Sequence, residues 1–207
     1  MSPAALDTSH LIALAAALGW ASGLRLYAVV FFTGLAGAMG WVPLPAGLQI
    51  LQHPLVLAAA GLMLAVEFFA DKIPGLDSLW DGIHTFVRIP AGMALAAAVF
   101  GGDQAVWATI AGLAGGTLAA TSHVAKATTR AAVNTSPEPF SNLALSLAGD
   151  AAVPTMLWLA FTQPLWFAAA LVLALVISVV LTVVLWKFLK TLVRGLRNRL
   201  GGAGAAA

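Results

Sequence analysis

The sequence predicts an all-α fold, a polytopic transmembrane bundle of about six helical spans, with five as the alternative. Three observations lead there. The 207 residues are 61% hydrophobic and only 9% charged, with a mean hydropathy of +0.95, whereas soluble domains are about one-quarter charged. Several apolar windows reach the roughly 20 residues that a helix needs to cross a hydrocarbon core of about 30 Å. The alternating pattern of a transmembrane barrel is absent, and abundant alanine and glycine suit helices that pack backbone to backbone in lipid.

The spans expected are 11–39, 54–70, 77–100, 104–133, 140–161 and 164–190, within a single transmembrane domain over 1–207 that closes on a basic, Gly/Ala-rich cytoplasmic tail at 191–207. The first window lacks a cationic leader and is too long for a signal peptide, so it reads as a retained span. At 1.5 Å per residue it would be about 43 Å long. It must therefore tilt, protrude or break near "ASG" at 21–23, and Arg25 inside it needs a partner. The stretch "GWVPLPAGLQILQH" reads as a loop before the second span.

Five of the ten basic residues, Lys187, Lys190, Arg194, Arg197 and Arg199, end the last apolar stretch. Cytoplasmic flanks are enriched in Lys and Arg, so this cluster places the C-terminus inside, with the multi-pass chain in a bacterial cytoplasmic (inner) membrane. Six spans then put the N-terminus inside too. Lys72, Lys126 and Arg130 fall on the same inner side. A faint internal echo aligns 61–72 with 115–126 through Gly61/Gly115, Leu64/Leu118, Ala65/Ala119 and Lys72/Lys126, the kind of weak repeat that marks some transporters.

Two proline-interrupted polar segments carry the chemistry. In the first, Pro74 and Gly75 break the helix, and Asp77 or Ser78 is placed to cap the next one. Asp77, Asp81, His84 and Arg88 then recur at i, i+4, i+7 and i+11, one polar stripe on an otherwise apolar helix, with its acids at the positive end of the helix dipole. Glu67 and Asp71 form a second i, i+4 pair at the end of the preceding span. In the second segment His123, Lys126 and Arg130 make a basic stripe that continues to Asn134 before "SPEPF" stops the helix. Asn142, Ser146 and Asp150 form a third polar line. Each charge at mid-bilayer costs about 2.5 to 3.5 kcal/mol, so the acidic and basic stripes are expected to face each other, around a polar cavity open to the cytoplasm. Pro90 and Pro154 would each free a carbonyl beside these lines.

No phosphate loop, dinucleotide fingerprint or serine elbow is present, and with no cysteine there is no thiol chemistry or disulfide. No cofactor is evident. A divalent metal on Glu67, Asp71, Asp77, Asp81 and His84 is the one candidate, by ligand type and without a standard spacing.

The strings "EFFADKIPGLDSLWDGIHTFVRIPAG" and "HVAKATTRAAVNTSPEPFSN" resemble a family of small bacterial integral membrane proteins, with plastid relatives, known as a domain of unknown function. The resemblance covers roughly residues 11–190. It implies a multi-span membrane protein and transfers no catalytic residue.

The functional expectation is a small transporter or channel-like protein for an ion or small polar solute, coupled to protons, with no catalytic residue assigned. Its pathway would be lined by Glu67, Asp71, Asp77, Asp81, His84 and Arg88 on one side and by His123, Lys126, Arg130, Asn142 and Asp150 on the other. The alternatives are a membrane enzyme acting on a lipid or prenyl head group through a carboxylate-bound metal, and a non-catalytic assembly protein with a glycine-rich interaction surface. The partners expected are membrane lipids and, as an open alternative, further copies of the chain, but not nucleic acid.

Overall fold

The computed structural model describes residues 6–73, 75–101, 104–135 and 140–203. Within them lie six α-helices, α1 (Thr8–Ala38), α2 (Pro54–Ala70), α3 (Leu76–Ala98), α4 (Ala105–Val133), α5 (Phe140–Thr162) and α6 (Pro164–Ala203), with a short 3₁₀ helix over Ala46–Gln52 and no strand. Pro74, residues 136–139 and the side chain of Arg199, all invoked above, lie outside the described residues.

Asp7 caps α1. Its carboxylate accepts from the Ser9 hydroxyl at 2.7 Å, the His10 amide at 3.0 Å and the His10 ring at 2.9 Å. Those contacts, Ser9 foremost, hold its carboxyl well below the usual carboxylate range, so the cap is charged at neutral pH.

The length that made the first window suspect is resolved by a break at Arg25, whose backbone is extended (φ −149°, ψ 85°). The break falls two residues beyond the "ASG" where it was expected. It does more than bend the helix. The first arm starts beside the far end of α3, where Ile12, Ala15 and Ala16 share a groove with Phe100, Trp107 and Ile110. The second arm finishes at that same end. Gly34 abuts the Leu51 carbonyl of the 3₁₀ helix, and Gly47 of that helix abuts the Ala98 carbonyl of α3. Both arms therefore meet at Arg25, deep in the bundle, and α1 enters and returns.

The stretch expected as an outer loop is likewise tucked in, with Leu44, Leu48 and Leu51 buried, and its 3₁₀ helix meets α2 at a 70° bend. The count of about six spans is not confirmed. By length and composition four helices can cross a membrane, α1, α4, α5 and α6, or five if the bent 3₁₀–α2 pair is one span. α3 does not qualify because its polar stripe lowers its hydropathy, and the contacts show α1 turning back.

Small residues make the central crossing of α1, α3 and α4 possible. A Cβ on Gly19 would lie 2.5 Å from the Gly115 Cα, one on Gly115 2.4 Å from the Ala96 Cβ, and one on Gly23 2.1 Å from the Ala119 carbonyl. Such approach gives dispersion contact where lipid offers no hydrophobic drive between helices. α6 lies at the edge, with only 6% of its apolar window buried, and it continues as helix beyond the expected end at 190 to Ala203. The two halves of the internal echo stand in different surroundings. Lys72 and Lys126 both pair with aspartates, but Gly61 faces Phe31 whereas Gly115 faces Gly19 and Ala96.

Two outcomes follow from this packing. In the naturally cysteine-free chain, single cysteines at Ser9→Cys and Gln49→Cys should react with an impermeant maleimide from one side of the membrane and Thr135→Cys from the other; labelling of Ser9→Cys and Gln49→Cys from opposite sides would show that α1 crosses. Gly23→Ala should destabilise the detergent-solubilised protein by about 1 to 3 kcal/mol through overpacking. Gly82→Ala, with nothing within 4 Å of the added methyl, should instead be neutral or stabilising by up to about 1 kcal/mol.

Candidate functional site

The charges gathered by the sequence stripes form one network at the end of the bundle where α2 and α4 finish and α3 and α5 begin. Asp71, the C-cap of α2, is its hub. A single oxygen, Oδ2, lies 2.8 Å from Arg25 Nη1, 3.0 Å from Lys126 Nζ and 3.0 Å from Arg130 Nη2. Asp81, one turn and a little more into α3, receives Arg88 Nη1 at 2.6 Å, Lys126 Nζ at 3.1 Å and Arg130 Nε at 3.5 Å. Arg88 also holds Glu67 at 2.6 Å. Arg25 reaches Asp150 of α5 through Nε at 2.8 Å, and Lys72 reaches the same carboxylate at 3.2 Å. The i, i+4 and i, i+7 spacings of α3 and α4 point their side chains to one side, which is why residues so far apart in the chain converge.

Toward the end of the bundle the network becomes amide-rich. Gly75, in a left-handed conformation (φ 87°) that suits glycine, precedes α3. Its amide and that of Ser78 donate to Asp77 Oδ1 at 2.9 Å and 2.6 Å, so Asp77 lies inside the first turn and is not the cap expected. The Asn134 amide donates to Asp77 at 3.1 Å, the Asn142 amide at 3.0 Å, and Arg130 Nη1 lies 3.4 Å away. Asn142 and Ser146, near the start of α5, turn inward. Ser146 Oγ accepts from Arg25 at 3.0 Å and Lys72 at 3.3 Å.

Five carboxylates (Glu67, Asp71, Asp77, Asp81, Asp150) thus meet five cations (Arg25, Lys72, Arg88, Lys126, Arg130), and the formal charges cancel. At the deepest charges the packing is close. Glu67, Asp71, Asp77 and Arg88 are 0% exposed and Asp81 2%, so the side chains fill the space between the helices. Glu67 Oε2, Asp71 Oδ1 and Asp81 Oδ2 are each buried with no hydrogen-bond donor. Glu67 and Asp71 therefore bind cations through one oxygen and keep the other unsatisfied, whereas Asp81 Oδ2 has Arg130 Nε at 3.5 Å and both oxygens of Asp77 accept hydrogen bonds. Among the described residues no three His, Asp or Glu side chains are grouped to hold a metal ion; the carboxylates face guanidinium and ammonium groups.

The two histidines sit deeper. His84 Nδ1 lies 2.9 Å from the Trp80 carbonyl, so it carries the proton there, and Nε2 accepts from the Tyr27 hydroxyl at 3.2 Å. Its ring stacks on Trp80. His84 thus stands beside the ion network and not in it. His123 Nε2 lies 2.7 Å from Thr85 Oγ1, which is 3.0 Å from the Asp81 carbonyl. His123 Nδ1 lies 3.3 Å from the Gly23 carbonyl and 3.4 Å from Arg88 Nη1. Either tautomer is satisfied. With the proton on Nδ1, it donates to Gly23 and accepts from Thr85; with the proton on Nε2, it donates to Thr85 and accepts from Arg88.

The broken helix α1 is held at its tip by α4. Ser122 Oγ donates to the Trp20 carbonyl at 2.6 Å and Lys126 Nζ to the Leu24 carbonyl at 3.0 Å, and His123 serves Gly23. Side chains thereby satisfy carbonyls that a helix ending at membrane depth leaves open. Arg25, Lys72, Tyr27 and Thr85 belong to the site but were not among its expected lining. Arg25 was legible as a charge needing a partner. Lys72 was legible only as an inner-side charge, and nothing in the spacing marked Tyr27 or Thr85.

A family model described as a domain of unknown function (DUF4126) matches residues 12–184, and the chain belongs to that family. No curated protein and no solved structure matches it.

Arg88 is the one cation within ion-pair distance of Glu67 among the described residues. Arg88→Gln should therefore cost about 3 to 5 kcal/mol of unfolding free energy by stranding a buried carboxylate. Adding Glu67→Gln should restore at least about 1 kcal/mol. An additive double-mutant cycle in chemical unfolding would show that the pair is not coupled.

Proposed function

We propose that the protein is a small membrane transporter moving an ion or small polar solute coupled to protons, and that the ion network is its closed gate. The observation that carries this reading is the buried oxygen without a donor on each of Glu67 and Asp71. A buried acceptor without a donor is a place for a proton or a small cation.

The pairing pattern makes occupancy affordable in structural terms. Arg25, Arg88, Lys126 and Arg130 each touch at least two carboxylates, so neutralising one acid leaves its cations a second partner. The usual large cost of stranding a buried charge is then avoided at each step. A proton entering at Asp77 would pass to Asp81 and Asp71 and then to Glu67. The two satisfied tautomers of His123 and the Tyr27–His84 pair extend a relay inward. Beyond Tyr27, an apolar groove of about 540 Å³ between α1, α2 and α3, with Leu26, Val30, Leu55 and Met63 in its walls, would keep that half dry in the closed state.

The same reading sets the topology. α1 is a re-entrant hairpin, α2 to α6 cross the membrane, and the two termini lie on opposite sides. All ten Lys and Arg residues fall within the bundle or at the network end, and none between 1 and 24, 26 and 71, or 89 and 125. By the excess of Lys and Arg on cytoplasmic flanks, the network and the C-terminus face the cytoplasm of an inner membrane and the 3₁₀ helix faces out.

In proteoliposomes loaded with a pH-sensitive dye, wild-type protein should dissipate an imposed pH gradient when a permeant counter-ion is supplied. Asp81→Asn combined with His84→Ala should slow this at least about tenfold, roughly 1.4 kcal/mol in barrier, while eluting as folded protein on size exclusion. Equal rates for wild type, the variant and empty vesicles, across a panel of monovalent ions, would count against transport.

A further inference from the structure

α6 is longer than a bilayer requires. Trp166 and Trp186, 69% and 54% exposed, stand twenty residues apart on it, about 30 Å at 1.5 Å per residue and so the thickness of a hydrocarbon core. Exposed tryptophans favour the two interfaces of a membrane. The helix nevertheless runs on to Ala203, so roughly its last 25 Å begin at one interface and lead away from it. That interface lies at the network end, because Ser178 and Leu181 of α6 share a groove with Lys126 and Arg130.

One face of α6 changes chemistry at this level. Val172, Val176, Val180 and Val183 form a row on the side turned away from the bundle, each about half exposed. The row continues at helical spacing as Lys187, Lys190, Arg194 and Arg197, all exposed, and at 3.6 residues per turn these four share an arc of about 80°. The opposite side, with Ser178 buried and Leu185 and Leu189 half-buried, faces the other helices. No Asp or Glu follows Asp150 in the chain, and none of the four cations has an ion pair among the described residues. The Lys190 ammonium lies 5.4 Å from the centroid of the Trp186 ring, a contact that leaves its charge uncompensated. Unlike the cations of the network, these four are open to whatever adjoins them.

We propose that this face of α6 gathers anionic lipid head groups in the leaflet at the network end, with Lys187 and Lys190 as the principal contacts. Continuity and charge select the occupant. The valines that meet acyl chains are followed, on the same face, by cations about 1.5 and 6 Å past Trp186, within the head-group layer of about 5 to 8 Å. A head group with net negative charge complements them, and a zwitterionic one does not. Arg194 and Arg197 lie about 12 and 16.5 Å past Trp186, where the attraction of an anionic surface fades within a Debye length of about 8 to 10 Å. Their contribution is therefore smaller, whereas an acidic protein docked on the projecting helix would lean on them most. The inference does not depend on the transport reading.

Spin-labelled phosphatidylglycerol and phosphatidylcholine test it, each as a trace probe around the full chain in phosphatidylcholine vesicles, read as the motionally restricted fraction of the electron spin resonance spectrum. Wild type should favour the phosphatidylglycerol probe at least about threefold at low salt, and about 1 M salt should largely abolish the preference by screening. Lys187→Gln with Lys190→Gln should remove most of it, and Arg194→Gln with Arg197→Gln much less. Lys187→Arg with Lys190→Arg should keep it, which separates charge from a folding defect. The absence of any preference in wild type, the result expected if the cations instead await an acidic protein, would overturn the assignment. So would a preference that survives high salt or the two-glutamine change at the lysines, one lost in the lysine-to-arginine variant, or a greater loss from the arginine pair than from the lysine pair.

Discussion

Charge cannot stand alone in a low-dielectric interior, and that constraint organises this molecule. An isolated ion at membrane depth costs several kcal/mol, and five carboxylates could be carried there only against an equal number of cations. The balance is reached across five helices, since the ion pairs draw on α1, α2, α3, α4 and α5. Each helix therefore has its rotation fixed by the side chain it contributes. An α3 turned by a third of a turn would leave Arg88 in lipid and Glu67 unpaired. The network sets the register of the bundle as well as its polarity.

Two kinds of packing meet at this depth. Below Arg25, toward the chain's basic end, the helices are separated by long ionic side chains that fill the gap. Above it, α1, α3 and α4 close to backbone contact through Gly19, Gly23, Gly92 and Gly115. The break at Arg25 is the hinge between the two regimes. It lets the first arm of α1 nest against α4 while the second leans on α2, where Gly61 accepts the Phe31 ring. The arms could not both do so in a straight helix of 31 residues.

The sequence revealed the parts whose signal is periodic. Asp77, Asp81, His84 and Arg88 hold helical phase, so their common face and their need for a basic partner could be read directly, and four of the five carboxylates and their α4 partners were found that way. Asp150 came from its own line on α5. What a one-dimensional pattern does not carry is where a long apolar run reverses. Residues 8 to 38 have the composition of a crossing helix, and the turn depends on one residue's dihedral angles and on Ser122, His123 and Lys126, a hundred positions away, satisfying its carbonyls. At α3 the charges that lower the hydropathy are hidden by partners. Around the deepest charges the counter-ions themselves supply the polar surroundings.

The choice between arginine and lysine follows the same electrostatics. Arg25, Arg88 and Arg130 have side chains 1%, 0% and 3% exposed, whereas Lys72 and Lys126 are 19% and 10% exposed. Guanidinium is weakly hydrated and offers donors in a planar fork, so a single group can bridge two carboxylates held by different helices. An ammonium is strongly hydrated and gains from partial access to water. Lys72 also rests 3.0 Å from the centroid of the Phe68 ring, where the aromatic face contributes to its stabilisation. The arginines accordingly occupy positions that must join helices, Arg25 linking α2 to α5 and Arg88 linking α2 to the first half of α3. Lys72 occupies a more exposed position beside Asp150, whereas Lys126 joins α1, α2 and α3 through the Leu24 carbonyl, Asp71 and Asp81. A network built this way is rigid at its bridges, Lys126 among them, and most compliant at Lys72, so partner exchange would begin at Lys72 and reach the arginine bridges last.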